Sequence, residues 1–187
     1  IDVSHIFFST PKRRFIIADS PGHVEYTRNM VTGTSTAQAS IILLDARKGV
    51  IEQTKRHFFI TQLLGIKQII FAVNKMDLVD YSQEVFDNIK TTLETLVEKH
   101  GQEGVAYHYT PVSALYNEHV VRPSEKLNWY HGEPLLSLIE SLPVEKNNAN
   151  DGAFQIQYVI RPKREELHDY RGFAGNVRSG NFTVGDS

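Results

Sequence analysis

The chain has 187 residues, 41% of them hydrophobic and 22% charged, which is room for one ordinary soluble domain and part of another. A formal charge of −2 gives no broad basic field for grasping nucleic acid, so no nucleic-acid partner is expected. The lack of cysteine excludes a disulfide scaffold, thiol catalysis and cysteine-ligated zinc within these residues. The longest apolar runs, such as Ala39–Leu44 and Ile69–Val73, fall far short of the roughly 20 residues of a membrane span, and no membrane association is expected. The chain starts at Ile1 rather than Met and shows no leader pattern, so the expectation is a cytoplasmic piece of something longer.

In chain order, His5–Ser9 and Arg14–Ala18 flank Thr10-Pro-Lys-Arg13 and read as an antiparallel hairpin at a sheet edge. The run Lys12-Arg13-Arg14 reads as a solvated tip or as a phosphate-contacting patch. Phe15–Ala18, Ser40–Leu44 and Gln68–Val73 are apolar on both faces, the pattern of strands buried inside a parallel sheet. Gln53–Leu64 places Phe58, Ile60, Leu63 and Leu64 near one helical face, and Glu84–Lys99 does the same with Val85, Ile89, Leu93, Leu96 and Val97. Strands alternating with such helices predict an α/β fold, a doubly wound, mostly parallel sheet with helices on both faces. Residues 1–145 are assigned to that domain and 146–152, rich in Asn and Asp, to a linker. From residue 153 the pattern changes to period two, with glycines between β-type residues, so 153–187 reads as the start of a β-barrel.

Three short motifs follow the strand-like runs Phe15–Ala18, Gln68–Val73 and His108–Val112. The first is Asp19-Ser20-Pro21-Gly22-His23. A carboxylate at the carboxyl end of a strand lies where doubly wound sheets bind ligands, and it suits Mg²⁺, held directly or through water. Gly22 lets a backbone N–H approach a terminal phosphate, and His23 can orient an attacking water. The second is Asn74-Lys75-Met76-Asp77. An aspartate can accept two parallel hydrogen bonds from guanine N1–H and its 2-amino group, a donor pair that adenine lacks. Asn74 can bond the base and neighbouring loops, while the aliphatic stem of Lys75 covers the ring. The same tetrapeptide also reads as a helix start capped by Asp77 or Asp80. The third is Ser113-Ala114-Leu115, whose backbone N–H groups could reach the guanine carbonyl, with Ser113 bracing the loop. Each is weak alone; together, in order and each after a strand, they point to one guanine-nucleotide cleft.

These motifs resemble the translational-factor class of GTPases and, within it, the GTPase subunits of sulfate adenylyltransferase. Asp19–His23, Tyr26-Thr-Arg-Asn-Met30, Thr32-Gly33 and Ser35 match the class. Asp45-Ala-Arg-Lys-Gly-Val50, Leu63–Lys67, Asn74–Tyr81, Trp129-Tyr130 and Asp169–Gly175 look specifically like the sulfate-activating subunits. The resemblance implies GTP and Mg²⁺ as ligands, with Asp19 serving Mg²⁺, Gly22 sensing the γ-phosphate and His23 positioning water. It implies that Asn74, Lys75, Asp77, Ser113 and Ala114 hold guanine, with Ser20, Pro21, Met76 and Leu115 lining the same motifs. It implies a switch between His23 and about Gly33, and a partner: a smaller catalytic subunit making adenylyl sulfate from ATP and sulfate, driven by GTP hydrolysis.

The phosphate-cradling pattern Gly-x-x-x-x-Gly-Lys-[Ser/Thr] is absent from these residues, and in the family it belongs upstream of Ile1. The expectation is therefore a GTPase domain lacking its first strand and phosphate loop, which does not hydrolyse GTP by itself. Residues 163–168 look like a small insertion relative to the family. Histidines other than His23 read as surface or half-buried, since none has zinc-ligand spacing. Trp129-Tyr130 reads as a partner anchor or as packing under a helix Glu133–Leu142. The alternatives are a translation factor binding aminoacyl-tRNA and a binding module without hydrolysis.

Overall fold

The computed structural model describes residues 3–20, 31, 37–143, 152–162, 169–180 and 182–185. Two compact units emerge, Ile1–Pro143 and Val144–Ser187. In the first, β1 (Ser4–Ser9) and β2 (Arg14–Asp19) pair antiparallel, with Phe8 and Phe15 stacked across the ladder at 4.8 Å. Their residues are mostly exposed, and the hairpin forms a sheet of its own rather than an edge of the parallel one. What holds it is the tip. Arg13 Nη1 donates to the carbonyls of Ile139 (3.3 Å) and Leu142 (2.9 Å), and Lys12 pairs with Glu140 at 3.1 Å. The basic tip is solvated, with Lys12 and Arg14 exposed, and it is also tethered: it clamps the end of the helix Leu135–Ser141, whose last carbonyls lack helical partners.

The centre is a parallel sheet in the order β3 (Ser40–Asp45), β4 (Gln68–Asn74), β5 (Ala106–Pro111). Every residue of Ile69–Val73 is buried, as its two-sided apolar sequence requires. On one face Ile42, Leu44, Ile69, Phe71 and Val73 pack with Phe58 of α1 (Glu52–Leu63) and with Phe86, Ile89 and Leu93 of α2 (Gln83–His100). Burial of each such side chain contributes about 1.5–3 kcal/mol. On the other face Ile70, Ala72 and Thr110 are buried, but Leu43 on the outer strand is 64% exposed.

α1 departs from the face expected of it. Leu63 is 82% exposed, and the buried side is Thr54, Phe58, Thr61 and Gln62. Polar groups are tolerated there because they are bonded: Thr61 Oγ1 donates to the Phe58 carbonyl at 2.8 Å, and Gln62 Nε2 to that of His100 at 2.9 Å. Tyr107 donates its hydroxyl to Gln62 Oε1 at 3.0 Å. α2 follows its predicted stripe and adds Phe86, while its start is capped by Ser82, which accepts from Val85 N, not by Asp77 or Asp80.

Trp129 and Tyr130 are core residues. Both lie against Phe86 of α2, Trp129 Nε1 donates to the Tyr81 carbonyl at 3.0 Å, and the Tyr130 hydroxyl to that of Tyr109 at 2.6 Å. They therefore brace β5 and α2, and α3 (Leu135–Ser141) comes after them. His119 corrects the surface reading of the histidines. It is buried, edge-on to Tyr130 at 5.0 Å, and neither ring nitrogen has a hydrogen-bond partner.

In the second unit β6 (Ala153–Ile160) and β7 (Gly172–Ser179) form an antiparallel ribbon. A Cβ on Gly175 would collide with the Gln155 carbonyl oxygen, so only glycine permits this approach. The linker and the insertion at 163–168 fall almost wholly outside the described residues.

Candidate functional site

Parallel register brings the carboxyl ends of β3, β4 and β5 to one edge, because Asp45 lies opposite Asn74 and Val73 opposite Pro111. The loops leaving these ends carry the second and third motifs. Backbone bonds tie them first: Val112 N donates to Val73 O at 2.9 Å, and Met76 N to Val112 O at 3.3 Å. Asn74 then closes the junction, its Oδ1 accepting from Lys75 N at 2.7 Å and from Ala114 N at 3.0 Å. One short amide side chain thus holds two loops separated by 40 residues in sequence.

Lys75 adopts the left-handed backbone region, with φ 64°. That conformation is disfavoured for a residue with a Cβ and recurs where local geometry serves a site. It turns the chain into a one-turn 3₁₀ helix, Met76–Val79, which buries Met76 in the core and leaves Asp77 at the surface side. The Ser113 hydroxyl, wholly buried, donates to Asp77 Oδ1 at 2.5 Å. Ser113 thereby fixes the orientation of the Asp77 carboxylate, which is half-exposed. Ala114 and Leu115 follow, both exposed.

Asp19 ends β2 on the separate hairpin, exposed, and makes no hydrogen bond to these loops; Ser20 follows it. Pro21, Gly22 and His23 lie outside the described residues, as does nearly all of the predicted switch. Among the described residues no three metal-ligating side chains converge. A lone exposed carboxylate such as Asp19 fits an ion that keeps most of its waters, as Mg²⁺ does, and not an all-protein cage.

Sequence reasoning quoted Asp45 and Arg47 only within the family-like stretch Asp45–Val50 and gave neither a role. Asp45 Oδ1 accepts from the backbone N and Nε of Arg47, both at 3.0 Å, and Oδ2 from Arg47 Nη2 at 2.6 Å and Lys75 Nζ at 3.0 Å. The Arg47 hydrogen bond, helped by Lys75, holds the carboxyl well below the usual carboxylate range. The available signal was positional: Asp45, like Asp19, ends an apolar strand. A second carboxylate, Glu118, accepts from Ser124 Oγ at 2.5 Å and pairs with Lys126 at 2.9 Å, which lowers its pKa. Its backbone exchanges two bonds with Ser113, each 3.0 Å, so this cluster stiffens the third loop from behind.

The model of the elongation factor Tu GTP-binding domain family matches residues 1–144. Sulfate adenylyltransferase subunit 1 of Aeromonas hydrophila is 54% identical over all 187 residues, and that of Aliivibrio fischeri 51%. The chain spans 38% of the length of each of these relatives. Among solved structures, bacterial selenocysteine-specific elongation factor EF-Sec superposes with a TM-score of 0.63 at 24% identity, over 100% of this chain and 29% of that one. Elongation factor SelB of Methanococcus maripaludis, in complex with a GTP analogue, gives 0.64 at 20%, over 100% and 38%. These likenesses agree with the α/β reading of the fold. No helix among the described residues is long and apolar enough to cross a membrane. The chain belongs to the elongation factor Tu GTP-binding domain family.

Proposed function

We propose that this member of the family is part of the GTPase subunit of a sulfate adenylyltransferase. In the whole protein, GTP hydrolysis drives a partner catalytic subunit to make adenylyl sulfate from ATP and sulfate. The observation that carries the reading is the Asn74 junction, which joins the two base-binding loops and leaves Asp77 braced by Ser113. The identity to relatives named sulfate adenylyltransferase subunit 1 supports the choice within the family.

In this reading residues 1–145 are the nucleotide domain and 153–187 open a barrel after the linker at 146–152. Asp77 accepts from guanine N1–H and the 2-amino group, and adenine is rejected because it would leave that carboxylate unpaired. Asn74 holds the loops, the stem of Lys75 covers the ring, and the N–H of Leu115 faces the base carbonyl, since that of Ala114 is bonded to Asn74 and that of Ser113 to Glu118. Met76 seats the turn by burial in the core. Asp19 would hold Mg²⁺ through water, Ser20 and Pro21 belong to the same motif, and Gly22 would sense the γ-phosphate. His23 orients the attacking water. The metal, when bound, neutralises charge on the phosphate oxygens; what the chain supplies is position, which is most of phosphoryl-transfer catalysis. The protein acts in the cytoplasm as a hetero-oligomer, and this segment by itself does not turn over GTP.

The test is GTP hydrolysis by the full-length protein with its partner subunit. Hydrolysis rising when ATP and sulfate are both present supports the proposal. Hydrolysis indifferent to sulfate but raised by ribosomes refutes it in favour of a translation factor.

A further inference from the structure

We infer that Asp45 is a positioning residue for guanine-nucleotide binding, acting through Lys75. The inference rests on the proposed function and adds to it a residue outside the three motifs. Asp45 occupies the register position opposite Asn74, and the ladder continues one bond further, from Ala46 N to Asn74 O at 2.9 Å. Its carboxylate therefore stands beside the turn that presents Lys75 and Asp77. The Asp45 side chain is only 14% exposed, whereas that of Lys75 is 48% exposed. A half-exposed lysine ordinarily samples many rotamers, and an isolated surface ion pair would not restrain it much. This pair differs because its acidic member is immobile: Arg47 grips both oxygens of Asp45 in a fork, and the Arg47 backbone N–H adds another bond. The Lys75 ammonium meets a fixed, ionised acceptor. Its stem is thereby held in one place, where the proposed function needs it to cover the purine. Arg47 serves in turn as the support of Asp45.

Holding one rotamer-rich side chain ready in advance is worth about fivefold in affinity. In the full-length protein, Asp45→Asn should weaken GDP binding by about that factor, measured by calorimetry. Lys75→Met keeps an apolar stem and loses the ammonium, so it should lose at least as much, and the two losses should not add: in the Lys75→Met background, Asp45→Asn changes affinity by less than about twofold. Asp45→Glu, which keeps the charge, should recover part of the loss. Unchanged GDP affinity in Asp45→Asn, or losses that add in the double variant, overturns the inference. If Asp45→Asn does not fold, Lys75→Met with unchanged affinity does so equally. ADP titrations separate the two levels of the reading: wild-type protein that binds ADP as well as GDP sinks the guanine assignment itself and this inference with it. GDP affinity unchanged in both variants, with the guanine preference intact, sinks the tether alone.

Discussion

Replacing Asp77 with Asn probes directly the carboxylate proposed to bind the base. In the structure, Oδ1 of Asp77 already accepts the Ser113 hydroxyl, and Ser113 is itself buried and fixed by paired backbone bonds to Glu118. An asparagine carbonyl would keep that bond, which turns its amide NH₂ toward the ligand. That donor opposes the 2-amino group of guanine and complements the 2-oxo group of xanthine. A hydrogen bond to a charged group is worth about 1.5–3 kcal/mol, so loss of one charged bond plus a donor–donor clash costs about 3 kcal/mol. At about 1.4 kcal/mol per tenfold, GDP should bind roughly a hundredfold more weakly, and XDP should overtake it. Competition of unlabelled GDP and XDP against a fluorescent nucleotide on the full-length protein reads both. Adding Ser113→Ala frees the amide to rotate, so the double variant should discriminate less between the two bases than Asp77→Asn alone. GDP affinity within threefold of wild type, with XDP still weak, would refute the role given to Asp77.

Two further outcomes test the packing and its electrostatics. Leu93→Ala removes a fully buried side chain from between α2 and the sheet and should cost about 3 kcal/mol, seen as a lower urea midpoint at unchanged m. Leu63→Ala, on the exposed side of α1, should fall within about 0.5 kcal/mol of wild type; a large loss there would restore the helix face suggested by the sequence. Burial pushes the pKa of His119 down, and it does the same to His108. A histidine depressed in the folded state binds fewer protons than in the unfolded chain, so stability falls as pH drops below the unfolded value of about 6.5. Denaturant midpoints between pH 7.5 and 5 should decline, and His119→Phe, which keeps the contact with Tyr130, should flatten the decline. A slope unchanged by that substitution would contradict the assignment.

The parallel strands were legible because Gln68–Val73 is apolar on both faces, which only a two-sided burial accommodates. The meeting of the second and third motifs was legible because each follows a strand of the parallel sheet. α1 misled because apolar spacing was trusted over hydrogen bonding: Thr61 and Gln62 go inward once Phe58, His100 and Tyr107 supply partners, and Leu63 then faces out. The Asp45–Lys75 pair joins residues 30 apart and exists only through the parallel register, which no local pattern encodes. The left-handed turn at Lys75 is similarly a product of its setting, since nothing in lysine favours it. The hairpin's attachment depended on Arg13 meeting carbonyls more than a hundred residues later, again beyond local reading.

Direct calorimetric titration of the full-length protein with GDP and with ADP bears most closely on the central claim, that strand-end loops held together by Asn74 form a guanine-specific cleft. The account predicts saturable GDP binding with ADP weaker by at least about a hundredfold, the discrimination expected when a site's buried polar group is left unpaired. Equal affinities for the two nucleotides, or no binding of either, would contradict it.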